Sequence, residues 1–230
     1  GDFSGGLDDQ RQGRDRVLEM AAADGPDEIR TRVRQEIRAG ADWIKFAASG
    51  GFSSPSDDPS RPTYSQEEMD TLVATAADLG VPATPHVYSD EGVRRAVKAG
   101  VRSVEHGNLA SAATLAMIEE AGVFLVPTLY TILTDARRVD DDAYWATRPP
   151  YKRRKFRQFH DALMAAAEHL AASEVKIAFG TALKAATSVA AGLLGLDDLG
   201  VIAEGRTADL VAMPGDPFTD IEVTGRADSS

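Results

Sequence analysis

The chain has 230 residues, of which 43% are hydrophobic and 27% charged; its formal net charge is −11 and it contains no cysteine. These proportions are typical of one soluble globular domain with room for a small appendage. The lack of cysteine excludes disulfides and thiolate metal ligands and is compatible with a reducing compartment, so we expect a cytoplasmic protein. An acidic chain without a basic stripe argues against nucleic-acid binding, and no apolar run of about 18 residues or signal-peptide pattern indicates a membrane partner.

Along the chain, helical and strand-like segments alternate after a polar, Gly- and Asp-rich arm over 1–25. Apolar stripes, N-cap residues and terminal glycines predict helices over 26–38, 65–79, 90–99, 111–121, 151–172 and 183–194. Short apolar runs predict strands over 42–48, 81–88, 101–108, 123–130 and 175–181. This alternation indicates βαβ units and a parallel sheet.

The fold class that this pattern predicts is α/β, in the form of a partial (β/α) TIM-type barrel of about five strands over 26–194. Short "AG" joints between helix and strand favour a barrel over a doubly wound sheet, and no G-x-G-x-x-G motif follows a strand. Gly turns and a short apolar run at 208–213 indicate a small C-terminal β appendage over 195–230.

Two further polar segments are either solvent-exposed surface or functional elements. The loop "SGGFSSPSDDPSRPT" follows the first predicted strand, and loops of that length are usually functional or disordered. It is either a lid over the barrel mouth or a solvated loop. The basic cluster "KRRK" at 152–155 opens the long helix, and we expect it to form a solvated face.

Polar residues stand near the carboxyl ends of three predicted strands, namely Lys45, His86 and His106. In a parallel barrel these ends form the active-site face. A lone histidine there is more often a hydrogen-bonded core residue, and a lone lysine usually extends to water or pairs with a carboxylate. Three such residues in register favour a site. Tyr88 lies two residues after His86, so we expect it on the same face of its strand.

The segments "GADWIKFAASGG", "HVYSDEGVRRAVKAGVRSVEHGN", "GVFLVPTL" and "VKIAFGT" resemble the amidohydrolase superfamily, in particular its metal-dependent Xaa-Pro dipeptidases and its imidazolonepropionase-like group. The segment "LKAATSVAAGLLGLDDLGVIAEGRTADLVAMPGDPFTDI" resembles the C-terminal helix and β-sandwich strands of that group. The resemblance implies that Lys45 is carboxylated and that its carbamate bridges two divalent metals, usually zinc. It also implies that His86 and His106 are metal ligands and that Tyr88 contacts substrate or an oxyanion. Asn108 and Tyr130 are weaker candidates for substrate binding.

The sequence departs from the family pattern at several ligands. The family's initial β-sandwich segment and its H-x-H pair are not present, so we expect the chain to begin in the third βα unit. Where the family ends its last strand in "GTD", this chain has "GTA", with Ala182 at the position of the catalytic carboxylate. Lys45, His86 and His106 alone would hold one ion at most, of zinc or another divalent metal.

The leading hypothesis is therefore a hydrolase of small amides, dipeptides or, in preference, carboxylic esters, with Lys45, Tyr88 and His106 as catalytic residues. Esters come first because their leaving groups need less protonation. One alternative is an inactive, truncated amidohydrolase that acts in binding or assembly. Another is a metal-independent serine esterase that uses Ser173 of the S-x-x-K match at 173–176. Open barrel edges predict a homo-oligomer whose copies cover the unpaired strands.

Overall fold

A computed structural model describes residues 22–175, 187–201 and 203–207 of the chain. Four short strands form one open parallel sheet in the order β1-β2-β3-β4. The strands are β1 (Ile44–Ala47), β2 (Ala83–Val87), β3 (Ser103–His106) and β4 (Phe124–Val126). The helices are α1 (Gly25–Arg38), α2 (Gln66–Asp78), α3 (Asp90–Ala99), α4 (Ala112–Glu120), α5 (Leu129–Arg137), α6 (Asp142–Trp145), α7 (Pro150–Ala171) and α8 (Ser188–Leu194).

The alternating order and the parallel pairing confirm the predicted α/β class and the open, partial barrel. The predicted fifth strand over 175–181 lies outside the described residues except for Val175, which is not in a strand. Most of the predicted arm over 1–25 and the predicted strand over 208–213 also lie outside them. Among the described helices, none has the length and apolar character needed to cross a bilayer.

The start of α2 shows how local sequence fixes an element. Ser65 Oγ accepts a hydrogen bond from the Glu68 N–H at 3.3 Å, and the Ser65 N–H donates to Glu68 Oε2 at 2.8 Å, so the capping box that the sequence predicts is complete. The Gly25 N–H donates to Glu68 Oε1 at 3.0 Å. These bonds from Ser65 and Gly25 hold the pKa of the Glu68 carboxyl below its usual value. One carboxylate thus ties the first turn of α1 to the first turn of α2.

Side chains alternate between the two faces of the sheet, as in any β-strand. One face, which we call the outer face, packs under the helices in a single apolar cluster. Its strand residues include Ile44, Phe46, Val87, Val104 and Leu125, each 8% exposed or less. The opposite, inner face carries Lys45 and Ala47 of β1, Thr84 and His86 of β2, and Ser103 and Glu105 of β3.

The chain covers part of its own inner face. Leu193 of α8 packs with Phe124 and Val126, and Trp43 and Val189 join this cluster. Phe124 and Val126 flank the outer-face residue Leu125, so α8 lies against the inner side of β4. The sequence predicts a homo-oligomer whose copies cover the open barrel edges. On the inner face around β4, the covering element is a helix of the same chain.

A second apolar cluster lies beyond the sheet, where α5, α6 and α7 pack together. Its buried members are Phe52, Tyr88, Ile132, Ala136, Val139, Trp145, Phe156 and Leu163. The sequence predicted no helix over 131–150 and a strand over 123–130, whereas β4 ends at Val126. Thr128 takes a left-handed backbone conformation with φ 48° after Pro127, and α5 begins at Leu129. Tyr130 therefore lies in a helix instead of at a strand end.

The basic cluster at 152–155 is not a uniformly solvated face, contrary to expectation. Lys152 Nζ lies 2.8 Å from Asp135 Oδ2, and Arg153 Nη2 lies 2.8 Å from Asp142 Oδ1. Lys155 turns towards the loop after β1, and Arg154 is exposed. Three of the four cations hold α7 against neighbouring segments.

Candidate active site

The register of the sheet brings the predicted residues to one region of the inner face. Lys45 pairs in register with Thr84, and Ala47 pairs with His86. Lys45 therefore lies two residues before the level of His86 along the strands. His86 pairs with Glu105 and Val87 pairs with His106. The two histidines therefore lie at the carboxyl ends of β2 and β3, as the strand pattern predicted.

Three rings form a compact group at these strand ends. The His86 and His106 ring centroids are 4.6 Å apart with an interplanar angle of 79°. The Tyr88 ring stacks on His106 at 4.5 Å and 12°, and it meets His86 edge-on at 5.1 Å and 84°. The structure thus brings together three of the residues that the sequence singled out.

His106 is held in an uncommon backbone conformation. Its φ is 76°, a left-handed value that non-glycine residues seldom adopt, and Thr128 across the β3–β4 ends also has a positive φ. His106 Nδ1 and Thr128 Oγ1 lie 2.7 Å apart in a hydrogen bond. This bond fixes the ring and leaves Nε2 as the nitrogen that Thr128 does not engage. Backbone strain of this kind clusters at functional sites.

Burial keeps both imidazoles neutral. Desolvation, with smaller contributions from the His86 and Lys45 charges, lowers the pKa of His106 to about 4. Desolvation and then Lys45 also lower the pKa of His86, and the Asp57 carboxylate opposes this. Near neutral pH each ring therefore has one unprotonated nitrogen, which is the form that ligates a metal or accepts a hydrogen bond.

Lys45 and Tyr88 complete the electrostatics of the site. Partial burial lowers the pKa of the Lys45 ammonium, although the residue keeps water contact on the edge strand, and the nearby Glu105 carboxylate raises it. Burial raises the pKa of Tyr88 to about 12. The phenol of Tyr88 therefore stays protonated and is available as a hydrogen-bond donor. A lowered lysine pKa increases the share of neutral amine, the form that reacts with carbon dioxide.

The loop after β1 contributes residues that the sequence did not predict to lie at the site. The Tyr88 N–H donates to Ser49 Oγ at 2.8 Å, and Phe52 meets the Tyr88 ring edge-on at 5.0 Å. Gly51 approaches His86 so closely that a Cβ there would lie 3.2 Å from Nε2. The "SGG" that ends the first apolar run was the available signal, because glycine is typical of close backbone approach.

Other candidates lie differently from what their sequence positions suggested. Asn108 is buried, and its Nδ2 donates to the Pro127 carbonyl at 2.7 Å, while Oδ1 has no donor within the described part of the chain. Tyr130 on α5 is 86% exposed. Ser173 Oγ donates to the Leu170 carbonyl at 2.9 Å just after α7, and Lys176 of the S-x-x-K match lies outside the described residues.

The donor set fits a metal ion only in part. Among the described residues, no group of three or more His, Cys, Asp or Glu side chains has the arrangement of a metal site. His86 and His106 supply two neutral imidazoles in one cluster. Lys45 supplies a third ligand only after it loses a proton, as a neutral amine or as a carbamate, since a protonated amine has no lone pair to donate. The described residues therefore suit one ion with an incomplete protein shell and do not suit a binuclear centre.

An open parallel sheet with polar ligand-type side chains at its carboxyl ends fits the class of partial (β/α)-barrel proteins. The model of the amidohydrolase family matches residues 10–181. Since this match covers well over half of the chain, the protein belongs to the amidohydrolase family. The resemblance inferred from the sequence is thereby confirmed, and members of this family generally use divalent metals.

One similar protein is the ochratoxinase of Aspergillus niger. It is 29% identical over 235 residues, and the match covers 89% of this chain and 47% of that protein. The crystal structure of A. niger ochratoxinase superposes with a TM-score of 0.73 and 28% identity over 87% of this chain and 51% of the other. A crystal structure of a Xaa-Pro dipeptidase with bound methionine in the active site gives a TM-score of 0.76 and 32% identity over 90% of this chain and 57% of the other. The chain thus spans about half the length of the relatives it matches.

Proposed function

We propose that this protein is a hydrolase of small amides, dipeptides and activated carboxylic esters, and that its reaction takes place at the ring group of His86, Tyr88 and His106 beside Lys45. The observation that carries the proposal is the contact of two neutral imidazoles with a protonated phenol at the carboxyl ends of adjacent parallel strands. Family membership supports the reaction class. The ochratoxinase and Xaa-Pro dipeptidase relatives support small amide and dipeptide substrates.

Lys45, His86 and His106 are the residues that would hold a single zinc or other divalent ion, with Lys45 as its carbamate. Such an ion would polarise the scissile carbonyl and lower the pKa of a bound water. Burial lowers the pKa values of both imidazoles, and partial desolvation lowers that of Lys45, which is exposed on the edge strand. Forming the carbamate joins the neutral amine to carbon dioxide and releases one proton, so the lowered lysine pKa favours it.

Tyr88 is our candidate for the oxyanion contact. Its hydroxyl stays protonated because burial raises its pKa to about 12, and its ring is fixed between His106 and Phe52. A fixed, neutral O–H donates to the oxygen of a tetrahedral intermediate as negative charge develops there. The Ser49 hydroxyl, which accepts the Tyr88 N–H, holds the backbone behind this ring.

Leaving-group chemistry orders the proposed substrates. An amide nitrogen must be protonated before it departs, whereas an activated ester releases a stable anion without a proton. Ala182, which the family resemblance places where a catalytic carboxylate is expected, offers no acid or base. We therefore expect p-nitrophenyl acetate to be hydrolysed faster than a dipeptide such as Ala-Pro.

The deciding experiment measures metal content per chain and esterase activity on protein purified without added metal salts. We expect chelation to abolish hydrolysis and zinc or cobalt to restore it. Lys45→Ala should lose bound metal and activity together, by about 100-fold or more in kcat/KM. The exposed lysine of α3 supplies the matched control, Lys98→Ala, which should keep both. Addition of ¹³C-bicarbonate should give a carbamate signal that Lys45→Ala lacks.

Three results would contradict the proposal. Full activity after complete metal removal would exclude an ion at this site. Loss of activity in Ser173→Ala with retention in Lys45→Ala would favour a serine esterase, although the hydroxyl of Ser173 is engaged by Leu170. A metal-loaded protein that hydrolyses neither substrate would favour the binding or assembly role.

A further inference from the structure

One ammonium group gathers the loop that follows β1. Lys155 Nζ donates to the Gly51 carbonyl at 2.8 Å, to the Ser54 carbonyl at 2.6 Å and to the Asp57 carbonyl. A lysine ammonium has three N–H donors, and here each has a backbone acceptor. The three carbonyls span seven residues of a segment that contains no helix or strand. We call these three oxygens with the ammonium between them the carbonyl cage.

The same helix holds the loop by two further contacts. Tyr151 Oη donates to the Ser53 carbonyl at 2.7 Å. The Phe156 ring stacks on Phe52 at 4.6 Å with an interplanar angle of 26°, and Phe52 is 2% exposed. Lys155 and these two aromatic residues all belong to the first two turns of α7. The loop is therefore fastened to one side of one helix.

This loop forms a wall of the ring group. A Cβ built on Gly51 would lie 3.2 Å from His86 Nε2 and 3.8 Å from Tyr88 Cε2. Phe52 contacts the Tyr88 ring edge-on at 5.0 Å. The Asp57 carboxylate acts electrostatically on both His86 and Lys155. Lys155, which donates to the Gly51 carbonyl, thus contacts a residue that itself lies against His86 and Tyr88.

We propose that Lys155 is a positioning residue, whose ammonium closes the carbonyl cage and thereby sets the loop over 50–58 as a wall of the His86–Tyr88 site. Without the cation, three converging carbonyl oxygens would repel one another and lack donors, which favours an opened loop. The contribution of Lys155 to substrate binding rests on the proposed function. Its effect on the loop does not, and the two are measured separately.

Chymotrypsin cleavage after Phe52 reports the state of the loop without any assay of activity. In the native chain Phe52 is buried against Phe156 and Tyr88, so we expect slow cleavage at this bond. Lys155→Ala should raise the rate of cleavage after Phe52, followed by mass spectrometry, about tenfold or more, because local opening exposes the bond. Arg154→Ala changes the exposed neighbour on α7 and should leave the rate unchanged.

Chemical rescue of Lys155→Ala distinguishes loss of the ammonium in the carbonyl cage from a general loss of structure. The atoms that Lys155→Ala removes correspond to n-propylammonium, which should restore protection of Phe52 as its concentration rises. Tetramethylammonium has the charge without N–H donors and should not restore it. Should Lys155→Ala not fold, Lys155→Met keeps most of the aliphatic stem and serves for the same cleavage measurement.

Kinetics with p-nitrophenyl acetate then test the positioning role. We expect Lys155→Ala to raise KM about tenfold and to change kcat by less than about threefold, with recovery in n-propylammonium. Protection of Phe52 in Lys155→Ala, or equal rescue by both cations, would overturn the proposal. If the native protein hydrolyses no test substrate, the proposed function fails, while the cleavage and rescue results still decide the role of Lys155 in the loop.

Discussion

The two faces of the four-stranded sheet differ in their chemistry. The outer face presents apolar side chains such as Val87, Val104 and Leu125, all of which are almost completely buried under the helices. The inner face presents Lys45, His86 and Glu105. Burial of apolar area stabilises a fold, whereas burial of polar groups costs free energy unless they are hydrogen-bonded. The outer face therefore determines whether the chain folds, and the inner face carries residues of the proposed site.

The inner face reduces the cost of its polar groups through local networks. Ser103 Oγ donates to Thr84 Oγ1 at 2.8 Å, and Thr84 Oγ1 lies 3.3 Å from Glu105 Oε1, so hydroxyls on β2 and β3 link across the strands. His106 is bonded to Thr128 in the same way beyond β3. The desolvation of the two imidazoles is not offset in this way, and it appears as the lowered pKa values of His86 and His106.

Removal of an outer-face side chain should give the largest loss of stability. Leu125→Ala deletes a side chain that is 1% exposed and packs in the apolar cluster under the helices. We expect it to lower the free energy of unfolding by about 3 kcal/mol, measured by urea denaturation. Tyr130→Ala, at a position that is 86% exposed, is the control and should change it by less than about 0.5 kcal/mol. Similar losses in both variants would remove the distinction between buried and exposed positions.

Acidification should act through the inner face and have the next largest effect. The pKa of His106 is about 4 in the folded protein against an ordinary value of 6.5, so the unfolded chain binds a proton first as the pH falls. Stability should therefore decline between pH 6.5 and pH 4 and change little through this group outside that window. We expect a loss of about 2 kcal/mol after allowance for the ring's partial contact with water.

The matched variant for this pH dependence is His106→Gln, which keeps a polar side chain without a titrating ring. Urea denaturation at several pH values, with a chelator present so that no ion competes for the imidazole, should show a shallower decline in the variant. His86 contributes in the same direction, because burial lowers its pKa as well. An unchanged slope in His106→Gln would show that the acid sensitivity originates elsewhere.

The features that the sequence predicted well are those encoded locally. Helix α3 runs over the predicted residues, from the Ser89 cap to Gly100, whose φ of 90° is the left-handed value that glycine adopts at a helix end. The meeting of His86 and Tyr88 followed from a strand end and period-two alternation. Alternation would have placed His106 on the same face as Val104, and its positive φ of 76° breaks that pattern. In these segments local propensity, capping and strand pattern all indicate the same structure.

The features that the sequence did not predict depend on contacts between distant segments. The carbonyl cage joins Lys155 to carbonyls about one hundred residues earlier in the chain, and backbone acceptors leave no mark in a sequence. The positive φ of Thr128 has no residue signal either, because threonine seldom adopts it. The docking of α8 on the inner face likewise depends on tertiary contacts, since its short apolar sequence could pack on any apolar surface.

The docking of α8 gives the smallest of the expected effects. Arg102 Nη2 donates to the Gly192 carbonyl at 2.8 Å, and the guanidinium lies over the Phe124 ring at 5.0 Å from its centroid. A helix of seven residues is not stable by itself, so α8 depends on this contact and on Leu193. Arg102→Met keeps an apolar stem and removes the donors, and we expect it to favour opening of α8 by about 1 kcal/mol.

Amide hydrogen exchange measures this opening residue by residue. The Ala191 and Leu196 amides, which donate to Thr187 and Ala191 carbonyls, should exchange about fivefold faster in Arg102→Met, while amides of β2 and β3 keep their protection. Lys98→Met, on the opposite side of the sheet, should change neither set. Faster exchange throughout the sheet would mean that α8 and the outer face unfold together. Helix α8 would then belong to the same cooperative unit as the core.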